Sequence, residues 1–181
     1  MFTRNGLYFI VLFFIFSCSE KLDFSQLEDY RITPEYTVSL TYFKVTPIRF
    51  FNPTTGVQES ERTDVTDFKV FENSLLRNHL VKVDFDVKIK NEIDKDFTLE
   101  ITFLDSNSNV THRFQDIKVS ASDLNFEFNE TIDVTLKPSL KNTSKVKIRV
   151  KINNPNPPLS PSDTSEFEFK SSAKIYIDTG A

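Results

Sequence analysis

Two aspartates on one candidate strand, Asp84 and Asp86, are spaced as a catalytic pair could be. Residues i and i+2 of a strand share a face and lie about 7 Å apart, which is within the range for the carboxyl groups of an inverting glycosidase. Alternating charge on the wet face of a half-buried strand produces the same pattern. A carboxylate-dependent hydrolase is therefore kept as the third functional hypothesis, behind two binding roles.

Other catalytic patterns are poorly represented. No serine is placed by the sequence beside His79 or His112, and both histidines are interpreted as surface residues. With no second cysteine and no pair of histidines at ligand spacing, the sequence offers no zinc site. Three glycines are too few for a phosphate-binding loop. No cofactor is expected.

The richest cluster of oxygen ligands runs from Asp105 to Asn109. Its Asp-x-Asn-x-Asn spacing resembles the opening of a calcium loop, with Asp116 at the twelfth position. Val110 stands where such loops need a glycine, and Asp116 stands where they use a bidentate glutamate. Because Asp and Asn also favour turns, the sequence favours a hairpin turn here over a metal site.

Four cations alternate along another candidate strand, namely Lys145, Lys147, Arg149 and Lys151. On the wet face of the strand they could bind an anion or an acidic glycan. Pairing with carboxylates such as Asp84, Asp86 or Glu100 on a neighbouring strand explains the same residues, and so does protection of a free sheet edge by lysines. These structural explanations are preferred, and the strand is kept as a candidate partner surface.

A second candidate partner surface follows Pro47. Because proline cannot donate to a sheet ladder, the chain should bend here at an edge or a bulge. In the favoured interpretation the bend buries Ile48 and Phe50. In the alternative, Phe50 and Phe51 form an exposed apolar patch that binds a partner.

Cys18 is the only cysteine of the chain, so no internal disulfide can form. It follows a polar start that contains Arg4, an apolar run from Leu7 to Phe16, and the small residue Ser17. A membrane-spanning helix needs about 20 apolar residues, so this shorter run suits an export signal better. The pattern predicts a signal peptide over residues 1–17, with Cys18 as the first residue of the mature protein.

The stretch Ile15-Phe16-Ser17-Cys18 resembles the lipobox of bacterial lipoproteins, in the looser form found in envelope lipoproteins of Bacteroidota. The resemblance implies that Cys18 carries a diacylglyceryl group and a further acyl chain such as palmitate. Two or more chains hold a protein stably on a membrane. It also implies an outer-membrane location, on the periplasmic side or on the cell surface, with residues 18–33 as a lipidated tether.

The rest of the chain, residues 34–181, has the length of one domain. Its dominant pattern is period-two alternation, clearest in Leu80–Ile89, Phe97–Phe103 and Val146–Ile152. Weaker copies are Tyr36–Val45, Asp67–Phe71, His112–Val119, Phe126–Phe128, Ile132–Leu136, Phe167–Phe169 and Lys174–Asp178. Short strands separated by turns predict an all-β fold, an antiparallel, immunoglobulin-like β-sandwich of eight or nine strands.

These features predict an envelope lipoprotein with a non-catalytic binding or structural role, as an accessory subunit of an outer-membrane assembly. The expected partners are the membrane, through the lipid on Cys18, and an envelope protein. A net charge of −4 provides no basic footprint for nucleic acid. The alternative is a glycan-binding lipoprotein of the cell surface, although the mature chain has no tryptophan and only four tyrosines, Tyr30, Tyr36, Tyr42 and Tyr176.

Overall fold

The computed structural model describes residues 33–180. The signal peptide, Cys18 and nearly all of the tether lie outside the described residues. Nine strands are present in the described part of the chain, and their bounds are β1 (Glu35–Val45), β2 (Glu61–Asp67), β3 (Leu80–Asn91), β4 (Phe97–Leu104), β5 (Val110–Arg113), β6 (Ile117–Val119), β7 (Phe126–Asp133), β8 (Lys145–Ile152) and β9 (Phe167–Ile177). One short helix, α1 (Ser74–His79), and 3₁₀ turns at Pro47–Phe50, Val70–Glu72 and Pro138–Asn142 lie between them.

The strands form two antiparallel sheets that share one core. Sheet I has the order β1-β9-β3-β7, and sheet II has the order β2-β8-β4-β5, with β6 also pairing with β4. The predicted antiparallel β-sandwich of eight or nine strands is confirmed. Six of the eight connections between the described strands cross from one sheet to the other, and this strand order is that of a jelly roll. In an immunoglobulin domain more of the sequential strands pair with each other, so the predicted immunoglobulin-like strand order is replaced by that of a jelly roll.

The core lies between the inward faces and is rich in phenylalanine. In β3, the inward residues Val83, Phe85, Val87 and Ile89 are each at most 2% exposed. Phe103 of β4 is equally buried, and its ring centroid lies 5.1 Å from that of Phe85. Stacked and edge-to-face rings fill the space between the sheets, which lets the sandwich form a dense core without tryptophan.

The strongest predicted strands are confirmed as β3, β4 and β8. Two pairs of predicted short strands merge into the longer β7 and β9, and the predicted strand His112–Val119 divides into β5 and β6. The predicted strand Asp67–Phe71 is wrong, because β2 ends at Asp67 and a 3₁₀ turn follows at Val70–Glu72. β2 was missed because it is an edge strand with polar residues on both faces, so its sequence shows no alternation.

Candidate functional site

The predicted basic strand is β8, and its cations point away from the core. The residues between them are the buried Val146, Ile148 and Val150. β8 lies inside sheet II, between β2 and β4. Edge protection is therefore the wrong explanation for its lysines, since a central strand has no free edge to protect. The four outward cations are Lys145, Lys147, Arg149 and Lys151.

Cross-strand pairing explains only the arginine of this strand. Arg149 Nη2 donates to Glu100 Oε2 at 2.5 Å, and Arg113 Nη2 lies 3.2 Å from the same oxygen. The hydrogen bond with Glu100 raises the pKa of Arg149 above its ordinary value. A second carboxylate, Glu61, lies 3.6 Å from Arg149 Nη1. Asp84 and Asp86, the other carboxylates considered as partners, lie on β3 of sheet I and cannot reach this strand.

The lysines on the outer face of sheet II have no such partners. Within residues 33–180, no carboxylate oxygen lies within 4.0 Å of Lys118, Lys145, Lys147 or Lys151. We call these four residues the lysine face. Lys147 stands opposite Val65 on one side and Thr102 on the other. Successive outward positions of a strand are about 7 Å apart, so the three lysines of β8 form a row of cations without ion pairs. Asp67 and Glu61 of β2 stand opposite Lys145 and Lys151, so Lys147 is the one with no carboxylate in register.

The outer face of sheet I shows the opposite pattern, because every lysine there has a carboxylate partner. Lys44 Nζ lies 2.6 Å from Glu166, and Lys88 Nζ lies 3.1 Å from Glu127. The remaining pairs on this face are Lys82–Asp84, Lys90–Glu92, Lys170–Glu168 and Lys174–Glu35.

The apolar partner surface proposed for Phe50 and Phe51 is wrong. Phe50 is 0% exposed and its ring centroid lies 5.7 Å from that of Phe97, while Phe51 is half-buried against the core. The expected burial of Ile48 is also wrong, since this side chain is 49% exposed. Residues 47–50 form a 3₁₀ turn with three residues per turn. Pro47 and Phe50 therefore share the buried side, whereas a period of two would have paired Ile48 with Phe50.

The interpretation of His112 as a surface residue is wrong. It occupies an inward position of β5, is 8% exposed, and packs between Phe103 and Phe114. Its Nε2 lies 2.7 Å from Glu130 of β7, so the pair joins the two sheets. Burial lowers the pKa of His112 below its ordinary value, although Glu130 opposes this shift. The other histidine, His79, is partly buried, with Nδ1 3.1 Å from the carbonyl oxygen of Asp178.

The oxygen cluster of residues 105–109 forms the turn between β4 and β5. Asp105 Oδ1 accepts hydrogen bonds from the backbone N–H groups of Asn107 and Asn109, both at 2.8 Å. Asp116 forms an ion pair with Arg113 at 2.9 Å instead of approaching this turn. In the part of the chain that the structure describes, no cluster of three His, Cys, Asp or Glu side chains could hold a metal ion.

The two members of the candidate carboxylate pair, Asp84 and Asp86, differ in their surroundings. Asp84 accepts hydrogen bonds from the Tyr176 hydroxyl at 2.7 Å and from Thr131 at 2.8 Å. Partial burial raises the pKa of Asp84, but the hydrogen bonds from Tyr176, Thr131 and Lys82 outweigh it and bring the pKa below its ordinary value. A catalytic acid needs a raised pKa. Asp84 is therefore poorly suited to that role beside Asp86.

Comparisons with known proteins add little beyond the fold. No protein-family model matches the chain, and no curated protein matches its sequence. The chain is similar in structure to a candidate secreted protein of Parabacteroides distasonis, with 13% identity and a TM-score of 0.48 over 64% of this chain and 38% of that one. It also resembles the VP2 subviral particle of infectious bursal disease virus, with 10% identity and a TM-score of 0.40 over 82% and 33% of the two chains.

A third similar structure is that of Bacillus endospore appendages, which form disulfide-linked pili. The identity is 8% and the TM-score 0.37, and the match covers 83% of this chain and 93% of that one. This chain spans less than two fifths of the length of the first two proteins. At these scores the similarities support no inference about function. Among residues 33–180, no helix is both long and apolar enough to cross a membrane.

Proposed function

We propose that this protein is a lipid-anchored, non-catalytic binding protein of the bacterial envelope. It acts as an accessory subunit that docks its lysine face on an acidic surface of an outer-membrane assembly. One observation carries the proposal: the four lysines of the lysine face lack carboxylate partners, whereas all six lysines on the outer face of sheet I are paired.

The charges around the lysine face explain why an acidic partner fits it. Glu100, the carboxylate at its centre, is already bound by Arg149 and Arg113 and is not free to neutralise a lysine. Like charges about 7 Å apart on one strand repel each other, and an acidic partner would relieve that repulsion. Surface charges of this kind steer association and fix the orientation of a complex.

The anchoring part of the proposal rests on the resemblance of residues 15–18 to a lipobox. Mass spectrometry of the mature protein should find residues 1–17 removed and acyl groups on Cys18. The variant Cys18→Ser should leave the membrane fraction. An unmodified Cys18 thiol would contradict the anchor and leave the lysine face as a separate question.

A matched pair of triple variants tests the docking part. Lys118→Gln, Lys147→Gln and Lys151→Gln together remove three of the four charges of the lysine face, and Lys88→Gln, Lys90→Gln and Lys170→Gln together change sheet I by the same charge. Tagged full-length proteins are cross-linked in intact cells, and the captured envelope proteins are quantified. The first variant should capture at least tenfold less of an envelope protein that the second variant still captures.

Salt provides an independent readout for the same experiment. Capture by the unmodified protein from detergent-solubilised membranes should weaken as the salt concentration rises, because exposed charges are screened beyond about 10 Å at 0.1 M salt. If both triple variants capture the same proteins in the same amounts, the lysine face is not the docking surface.

A further inference from the structure

A row of free polar side chains crosses the outer face of sheet I. Ser39 of β1 stands opposite Ser172 of β9, Ser172 stands opposite Asp86 of β3, and Asp86 stands opposite Asn129 of β7. We call these four residues the polar row. Within the described chain, none of their side chains has a hydrogen-bond or ion-pair partner. The row therefore offers hydroxyl, carboxylate and amide groups that only solvent satisfies.

The rows on either side of the polar row are occupied by their own contacts. On one side, Asp84 is bound by Tyr176 and Thr131, and Lys174 is paired with Glu35. On the other side, the cations of Lys88 and Lys170 are paired with carboxylates. Of these three rows, the polar row is the one in which no side chain has an internal partner within the described chain.

A groove lies over this line and has an aromatic wall. Its volume is about 420 Å³, and its lining includes Ser39, Ser172, Asp86 and Tyr42. Small-molecule sites have volumes of about 300 to 1,000 Å³, so the groove is large enough for one or two sugar rings. Tyr42 is 58% exposed, and Lys170 Nζ lies 5.7 Å from its ring centroid. The ring offers a rigid apolar surface beside polar groups.

We propose that this groove binds a neutral glycan, with one sugar ring stacked on Tyr42 and its hydroxyl groups hydrogen-bonded to the polar row. Serine hydroxyls and the Asn129 amide can donate and accept, and the Asp86 carboxylate accepts, which matches the mixed character of sugar hydroxyls. The only unpaired charge of the polar row is the anion of Asp86. An acidic glycan would be repelled there, so the charge of the site selects a neutral one.

The groove and the lysine face lie on opposite sheets, and they are independent sites. Glycan binding here goes beyond the docking role proposed above, and the loss of one activity leaves the other in place.

The test is an array of immobilised neutral and acidic oligosaccharides, probed with the full chain in detergent, followed by calorimetric titration of the best neutral sugar. Tyr42→Ala and Asp86→Asn should each weaken its binding by about tenfold or more, since hydrogen bonds to charged groups and ring stacking contribute that much. Two matched controls should retain binding within about twofold. They are Tyr36→Ala, a 45% exposed tyrosine of the same strand, and Asp84→Asn, the neighbouring aspartate that is already bonded.

Three results would overturn the proposal. The first is an array without any bound sugar. The second is a preference for acidic glycans, which would contradict the role of Asp86. The third is an equal loss of binding in the controls Tyr36→Ala and Asp84→Asn, which would show that the groove is not the site.

Discussion

The two outer faces of the sandwich contain the same kinds of residue, but they differ in whether their lysines form ion pairs. On sheet I, strands β1, β3 and β9 pair each lysine with a carboxylate. On sheet II, the two arginines Arg113 and Arg149 share Glu100, and the four lysines of the lysine face have no carboxylate partner among the described residues.

This difference concerns binding more than folding. Exposed ion pairs contribute about 0 to 1 kcal/mol each, so neither pairing pattern decides whether the sandwich forms. The core between the sheets provides the stability. Unpaired cations are nevertheless available to an external partner, while paired cations would first have to give up an internal one.

The first prediction concerns the ring beneath both faces. Phe103 is 2% exposed and contacts the rings of Phe68, Phe85 and Phe114. Phe103→Ala should lower the free energy of unfolding by about 3 to 5 kcal/mol in urea denaturation, because it removes apolar contacts and leaves a cavity. The control Leu136→Ala, at a side chain 80% exposed, should change it by less than about 0.5 kcal/mol. If Phe103→Ala cost no more than a face substitution, stability would not reside in the core.

The second prediction sharpens the contrast on sheet II. Glu100→Gln removes the carboxylate that Arg149 and Arg113 share. The thermal midpoint should fall by less than for the core variant and by more than for Glu127→Gln, whose ion pair with Lys88 is far more exposed. Because the face becomes more positive, capture of an acidic partner should increase at low salt. A decrease in capture would show that Glu100 itself contacts the partner.

The third prediction uses acid to remove the charge of Asp84 on sheet I. The pKa of Asp84 is below its ordinary value, because hydrogen bonds from Tyr176 and Thr131 outweigh the effect of burial. Its stabilising contribution is therefore complete above the unfolded-state pKa, which is near 3.8, and is lost as the pH falls through the lower folded-state pKa. The difference in urea midpoint between the unmodified protein and Asp84→Asn should shrink as the pH falls below that value.

The control for the acid experiment is Asp86→Asn, since Asp86 has no partner within the described chain. Its effect on the urea midpoint should be small. If Asp84→Asn and Asp86→Asn showed the same dependence on pH, the hydrogen bonds to Asp84 would have no role in stability.

The fourth prediction compares one lysine from each face. Lys88 and Lys147 both point outward from central strands, and only Lys88 is ion-paired. Lys88→Gln should lower the free energy of unfolding by about 0.2 to 1 kcal/mol. Lys147→Gln should leave it unchanged within about 0.5 kcal/mol. Equal losses, measured by urea denaturation, would mean that the charge contrast between the faces has no energetic basis.

Sequence alone determined which residues of a strand share a face. The alternation in β3, β4 and β8 predicted their outward charges and inward apolar side chains correctly, because side chains along a strand alternate with a period of two. The same rule failed at Ile48, where a 3₁₀ turn replaces the strand. The short strand β5 was joined to β6 in the prediction, and His112 was not recognised as an inward residue.

Tertiary structure decided which strands are neighbours, and every candidate site depends on that choice. Arg149 and Glu100 are 49 residues apart, and they meet because β8 pairs with β4. The polar row exists because β1, β9, β3 and β7 align in one register. Alternation specifies the face of each side chain, while pairing depends on the path of the chain between the sheets. The sequence could therefore predict single faces but neither the lysine face as a unit nor the groove beside Tyr42.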